Sequence, residues 1–173
     1  MIHNLKGDDN LTYECLLQEA TVNNLYVIEN ATFESDAKGL INNDVIGINK
    51  NIGTETERAC VLAEELGHYH TSSGNIIDMS NETNVKQERL ARLWSYNKMI
   101  GLHGIIEAHK KRCSTRHEIA NFLGVTEEFL DEAIKIYTEK YGVCTQVDNY
   151  IIFFIPSLGV MELIDNTSLY DSM

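Results

Sequence analysis

Glu64, Glu65 and His68 lie within five consecutive residues and have the types and spacing of a hydrolytic metal site. Positions four apart on a helix sit one above the other, so Glu64 and His68 can grip one cation. Glu65 is turned by roughly 100° and stands beside that pair. The pattern is that of H-E-x-x-H, in which two ligands hold zinc and the intervening Glu acts as general base. Glu64 occupies the place of the first His. A carboxylate oxygen is an acceptable zinc donor, but it adds negative charge and suits harder ions better than imidazole does.

A catalytic zinc takes three protein ligands and leaves one position open for water. The best third donor is Glu88, at the head of Glu88-x-x-Ala91-x-x-Trp94. The chain between His68 and Glu88 is long enough to turn back and lay a second helix beside the first. Asp78 and Glu82 are weaker rivals in that stretch. Spacing alone leaves a bland alternative open, since a Glu-Glu pair on a helix is more often a solvated face. Gly67 tilts the balance, because glycine inside a helix costs about 1 kcal/mol relative to Ala and implies a close approach by backbone or substrate. Cys60, one turn before Glu64, is a further candidate ligand, although a buried structural thiol is the more ordinary role. His70 points away from His68 if the helix continues. His103, His109 and His117 show no ligand spacing.

The elements that must position these groups can be read from the pattern. Leu11 to Asn24 carries Leu16, Leu17 and Ala20 at helical spacing. Leu25 to Ile28 reads as a strand, and Asn42-Asn43-Asp44 as a turn into a second strand, Val45 to Ile48. That pair predicts a small antiparallel sheet. Thr54 and Glu57 form a capping-box pattern opening the metal helix, which should end near His70 or Thr71. A polar loop, Asp78 to Asn84, precedes a third helix from about Gln87 to Ile100, weakened at Gly101 and Gly104. Thr115 and Glu118 repeat the capping-box pattern before a helix through Leu123. Thr126 caps another, Glu127 to Tyr141, closed by Gly142. Tyr150 to Ile155 and Val160 to Ile164 flank Pro156 and Gly159 as a terminal β-hairpin.

Bulk composition narrows the function. At 43% hydrophobic and 23% charged, 173 residues suffice for one well-buried core. The net charge of −12 opposes nucleic-acid binding, which needs Lys and Arg against phosphate. No apolar run approaches a membrane span of about 18 residues. Cys15, Cys60, Cys113 and Cys144 are scattered, and the residues from Met1 to Leu5 lack the marks of a signal peptide. Reduced thiols in the cytoplasm are the expectation.

Taken together, Ala63-Glu64-Glu65-Leu66-Gly67-His68-Tyr69 and Lys86-Gln87-Glu88-Arg89-Leu90-Ala91-Arg92-Leu93-Trp94 resemble the ImmA/IrrE family of metallo-endopeptidases. The likeness is greatest to members carried by phages and mobile elements of Gram-positive bacteria, which also end in a segment like Glu118 to Leu130. It runs from about Tyr13 to Ile164. The resemblance implies an α+β fold, a minimal zincin-like domain with a small antiparallel sheet packed against helices, followed by a C-terminal helical pair and β-hairpin. The expected division is a metallopeptidase core over 1–112 with 113–173 packed on it. Carried over by position, the metal ligands are Glu64, His68 and Glu88, and the base is Glu65. At position 64 most of the wider family has His. Zinc is the implied cofactor, with manganese or another divalent ion as alternatives. The implied substrate is a protein, a helix-turn-helix repressor whose cleavage releases a phage or mobile element.

His117 to Thr126 also reads as a helix-turn-helix, with Gly124 at the turn. Its second helix would open with Glu127, Glu128, Asp131 and Glu132, four acids that would face phosphate in a groove. Packing or protein docking is the better role. An endopeptidase acting on a repressor is therefore expected, against a degenerate protein that binds its partner without hydrolysis.

Overall fold

The computed structural model describes residues 11–71 and 81–164. Elements follow as α1 (Tyr13–Val22), β1 (Tyr26–Ala31), β2 (Gly39–Asn42), β3 (Val45–Asn49), α2 (Glu55–Thr71) and α3 (Asn81–Met99). After these come α4 (Gly101–Lys110), α5 (Arg116–Leu123), α6 (Glu127–Tyr141), β4 (Cys144–Val147), β5 (Tyr150–Phe153) and β6 (Gly159–Glu162). The α+β arrangement with a C-terminal hairpin region is the one expected.

The first sheet corrects the expected pairing. β1 and β3 run parallel, and β2, unseen in the sequence, pairs antiparallel with β3 in the order β1-β3-β2. One extra strand between the two reverses the chain once more, so β3 returns in the sense of β1. The turn read at Asn42 to Asp44 is real, but it closes a two-residue hairpin. Asn42 pairs with Val45, and Asn43 takes a left-handed φ of 53°. The chain leaving β1 crosses the face of β3 at Gly47, where an added Cβ would lie 3.0 Å from the Phe33 ring.

α2 packs on this sheet through Val61, Leu62 and Leu66 against Ile46 and Ile48, all buried. Each such side chain contributes about 1.5–3 kcal/mol by leaving water. Thr54 caps α2 by accepting from the Glu57 N–H at 3.1 Å. The Glu57 carboxylate lies 3.1 Å from Lys38 Nζ, across to the loop before β2, which takes it out of the expected reciprocal box.

α3 begins earlier than the expected Gln87 and ends at Met99. Gly101 does break it, with φ 59°, but the chain re-enters a helix at once. α4 was hidden because Gly101 and Gly104 read as breakers. Gly104 in fact lets Leu123 approach, its would-be Cβ standing 3.0 Å from that side chain. Thr115 and Glu118 form the full capping box, and Gly124 closes α5 in the left-handed conformation. The expected hairpin is three-stranded, with β4 added on the open side of β5.

The acidic start of α6 forms ion pairs at the protein surface. Glu127 meets His117, Glu128 meets Lys38, Asp131 meets Arg116 and Glu132 meets Arg92. The first and third of these ties join α6 to α5, while those to Lys38 and Arg92 reach the first half of the chain, where Leu130 and Tyr137 share a core with Leu62 and Tyr96.

Candidate metal centre

The spacing of α2 and α3 is set where Gly67 meets Ala91. A Cβ on Gly67 would stand 2.4 Å from the Ala91 carbonyl oxygen, so only glycine allows this crossing. The three marked residues of α3 then take separate tasks. Ala91 sits under Gly67, Trp94 stacks on His70 with ring centroids 4.6 Å apart, and Glu88 reaches His68. His68 pairs with Glu88 and Gly67 with Ala91, and the Arg92 charge acts on Glu64.

His68 Nε2 lies 3.4 Å from Glu88 Oε2. The other Glu88 oxygen accepts from Arg92 Nε at 2.6 Å. Arg92 NH1 donates in turn to Glu132 Oε2 at 3.1 Å, and the Tyr96 hydroxyl donates to the same oxygen at 2.8 Å. A line of polar contacts thus runs from α2 through α3 to α6.

Glu64 and Glu65 are sheltered carboxyls. Burial, the dominant cause, pushes Glu64 up to about 7; Arg92 opposes this, while Glu132 and Glu88 add to it. Glu65 is only 9% exposed, and burial likewise pushes it up to about 7, helped by the Glu64 charge and opposed by the Ile41 backbone N–H. Its carboxylate lies against β2, where a Cβ on Gly39 would come within 2.6 Å of Oε1. Gly39 therefore makes room for the Glu65 carboxylate at the sheet edge. α2 thus carries two acids raised toward neutrality together with an imidazole, residue types suited to proton transfer.

Cys60 and His70 have other employment. The Cys60 thiol is buried, raised to about 11 by that burial, and close to Thr126. His70 is stacked on Trp94 and lies 3.4 Å from Glu19. The Tyr69 hydroxyl reaches the Asn23 carbonyl, a packing role. Asp78 lies outside the described residues, and position 82 falls in the first turn of α3. Arg92 and Glu132 were not singled out by spacing. Arg92 follows Ala91 within the α3 motif, but Glu132 is distant in sequence and only the packing of α6 brings it here.

The donor chemistry of Glu64, His68 and Glu88, two carboxylates and one imidazole, fits a divalent cation. His68 and Glu88 already converge. Among the described residues, however, no three His, Cys, Asp or Glu side chains are gathered closely enough to hold a metal ion. The third donor stands apart from that pair.

A family model for peptidase M78, described as the IrrE N-terminal-like domain, matches residues 23–135. That span holds the first sheet, α2, α3 and the start of α6 as far as Lys135, so it includes Glu64, Glu65, His68, Glu88, Arg92 and Glu132. No curated protein and no solved structure matches the chain.

Proposed function

The chain belongs to the IrrE N-terminal-like family of metallopeptidases, and from that premise we propose a divalent-metal-dependent endopeptidase with Glu64, His68 and Glu88 as ligands and Glu65 as base. The observation that supports this best is the 3.4 Å approach of His68 Nε2 to Glu88 Oε2 across two helices, with the sheltered carboxyls of Glu64 and Glu65 on the same helix as His68. A divalent ion bound there supplies Lewis-acid polarisation of the scissile carbonyl and eases deprotonation of water. Zinc is our first choice, with manganese favoured next by the second carboxylate.

Glu65 takes the proton of the attacking water and returns it to the leaving amine. Burial favours its protonated form and so supports the return of the proton. We place the substrate backbone along β2, among the described residues an edge strand of the first sheet, whose Leu40 is 54% exposed and whose Ile41 N–H is turned to Glu65. An extended peptide adding to that edge gains main-chain hydrogen bonds and brings its carbonyl past Glu65 at Gly39.

The substrate we propose is a helix-turn-helix repressor of a phage or mobile element, a basic partner for a chain of net charge −12. The acids of α6 would repel a DNA backbone, so no direct nucleic-acid contact is assigned. Residues 1–112 form the catalytic core in this reading, with 113–173 packed on it. No described helix is long and apolar enough to cross a membrane. The four cysteines are free, and we place the protein in the cytoplasm.

Co-expression with a candidate repressor tests the reading. Fragments of the repressor should accumulate with the unmodified chain and disappear with Glu65→Gln. Cleavage that persists in the variant removes Glu65 from the role of base. A second reading, a metal-free protein that sequesters the repressor, is favoured by one observation: Arg92 already neutralises Glu88. Repressor bound intact, with zinc present, would select it.

A further inference from the structure

We propose that Arg92 and Glu132 are positioning residues of the metal centre: Glu132, reaching in from α6, anchors the Arg92 guanidinium, and Arg92 holds one Glu88 oxygen so that the other stays directed at His68. The inference rests on the ligand assignment above and adds to it a role for the C-terminal half of the chain.

The two oxygens of Glu88 are already divided between two tasks. One accepts from Arg92 Nε at 2.6 Å, and the other lies 3.4 Å from His68 Nε2. An ordinary i,i+4 ion pair on a helix contributes only a few tenths of a kcal/mol, because both side chains remain free to wander. Arg92 is not free in that way. Its NH1 is tied to Glu132, and the Glu132 oxygen that takes this bond also accepts from Tyr96, a fully buried residue. A planar guanidinium spanning two carboxylates has one orientation, which fixes the carboxylate it presents. Glu132 does a second thing. Its charge offsets that of Arg92, which would otherwise count against a cation held by Glu88. Ligating carboxylates are commonly held by such outer contacts, whose loss weakens metal binding by about 10- to 100-fold.

The test is zinc affinity, measured on the full chain by competition with a chelating dye, for the unmodified protein and for Arg92→Lys, Glu132→Gln and Tyr96→Phe. Thermal melting of each variant without metal shows whether it folds. Arg92→Lys keeps the charge and loses the two-sided bridge, so it should weaken zinc by about 10- to 100-fold while remaining folded. Glu132→Gln should do the same, and Tyr96→Phe should shift affinity in the same direction by less. With cobalt as the probe, the visible absorption band of the bound ion should change in Arg92→Lys, a signature that a merely structural role would leave alone. Unchanged affinity in the folded variants overturns the proposal. Tighter zinc in Arg92→Lys overturns it too, since Arg92 would then be a competitor for Glu88. If Glu132→Gln fails to fold, Tyr96→Phe decides, because it removes only one hydroxyl. An unmodified protein that takes no zinc overturns the ligand assignment itself, and this proposal with it; zinc bound equally by all forms overturns this proposal alone.

Discussion

Gly67 and the carbonyl of Ala91 are so close that a single methyl on Gly67 would stand 2.4 Å from the oxygen. This contact lies next to the proposed ligands His68 and Glu88, one on each helix, and it sets how closely the two helices approach there. Ala usually favours a helix over Gly by about 1 kcal/mol. At this position the sign should reverse. Gly67→Ala is expected to lower stability by about 1–3 kcal/mol through overpacking and to weaken zinc by pushing α3 away. Denaturant melts and dye competition check both effects; a variant as stable as its parent, with full zinc affinity, would show that the crossing has slack.

Glu64 and Glu65 give the metal-free protein a definite pH dependence. Both are raised by burial from 4.5 to about 7, so each holds its proton more tightly when folded than when unfolded. Their contribution to stability is therefore fully present below about 4.5 and is lost as pH rises through about 7. Glu65, the more deeply sheltered, should contribute on the order of 2 kcal/mol to this change. Glu65→Gln should flatten the profile and make the metal-free protein more stable at pH 8, at the expense of catalysis. Melts across pH 5–8 would show this, and a variant with the parent's slope would assign the dependence to other groups.

His70 is expected to leave metal binding untouched. Its ring is engaged by Trp94 at 4.6 Å and by Glu19 at 3.4 Å. His70→Ala should lower stability by about 1 kcal/mol from lost stacking and keep the parent's zinc affinity. A large loss of affinity in a folded His70→Ala protein would place this imidazole among the ligands.

Much of the candidate site was legible because its proposed ligands are marked by helical spacing. Glu64 and His68 are one turn apart, and Glu88, Ala91 and Trp94 mark one side of the next helix. Gly67 signalled a close approach, and the Ala91 backbone is what approaches. What escaped reading has physical causes. β2 is four residues long and ends in the same turn that announced β3, so one missing strand reversed the sense of the β1–β3 pair. α4 lay behind two glycines, of which one kinks the chain and the other makes room for Leu123. Glu132 is marked only as one of the acids opening α6, with nothing local to tie it to Arg92. It reaches Arg92 from 40 residues away, and only the packing of α6 on α3 determines that contact.

The assignment of Glu64, His68 and Glu88 to one cation is tested most directly by zinc titration of the purified chain beside His68→Ala and Glu88→Gln. Binding of about one equivalent by the parent, abolished in both variants while they still melt cooperatively, is the predicted result. Less than about a tenth of an equivalent in the parent, or undiminished binding in either variant, would contradict it.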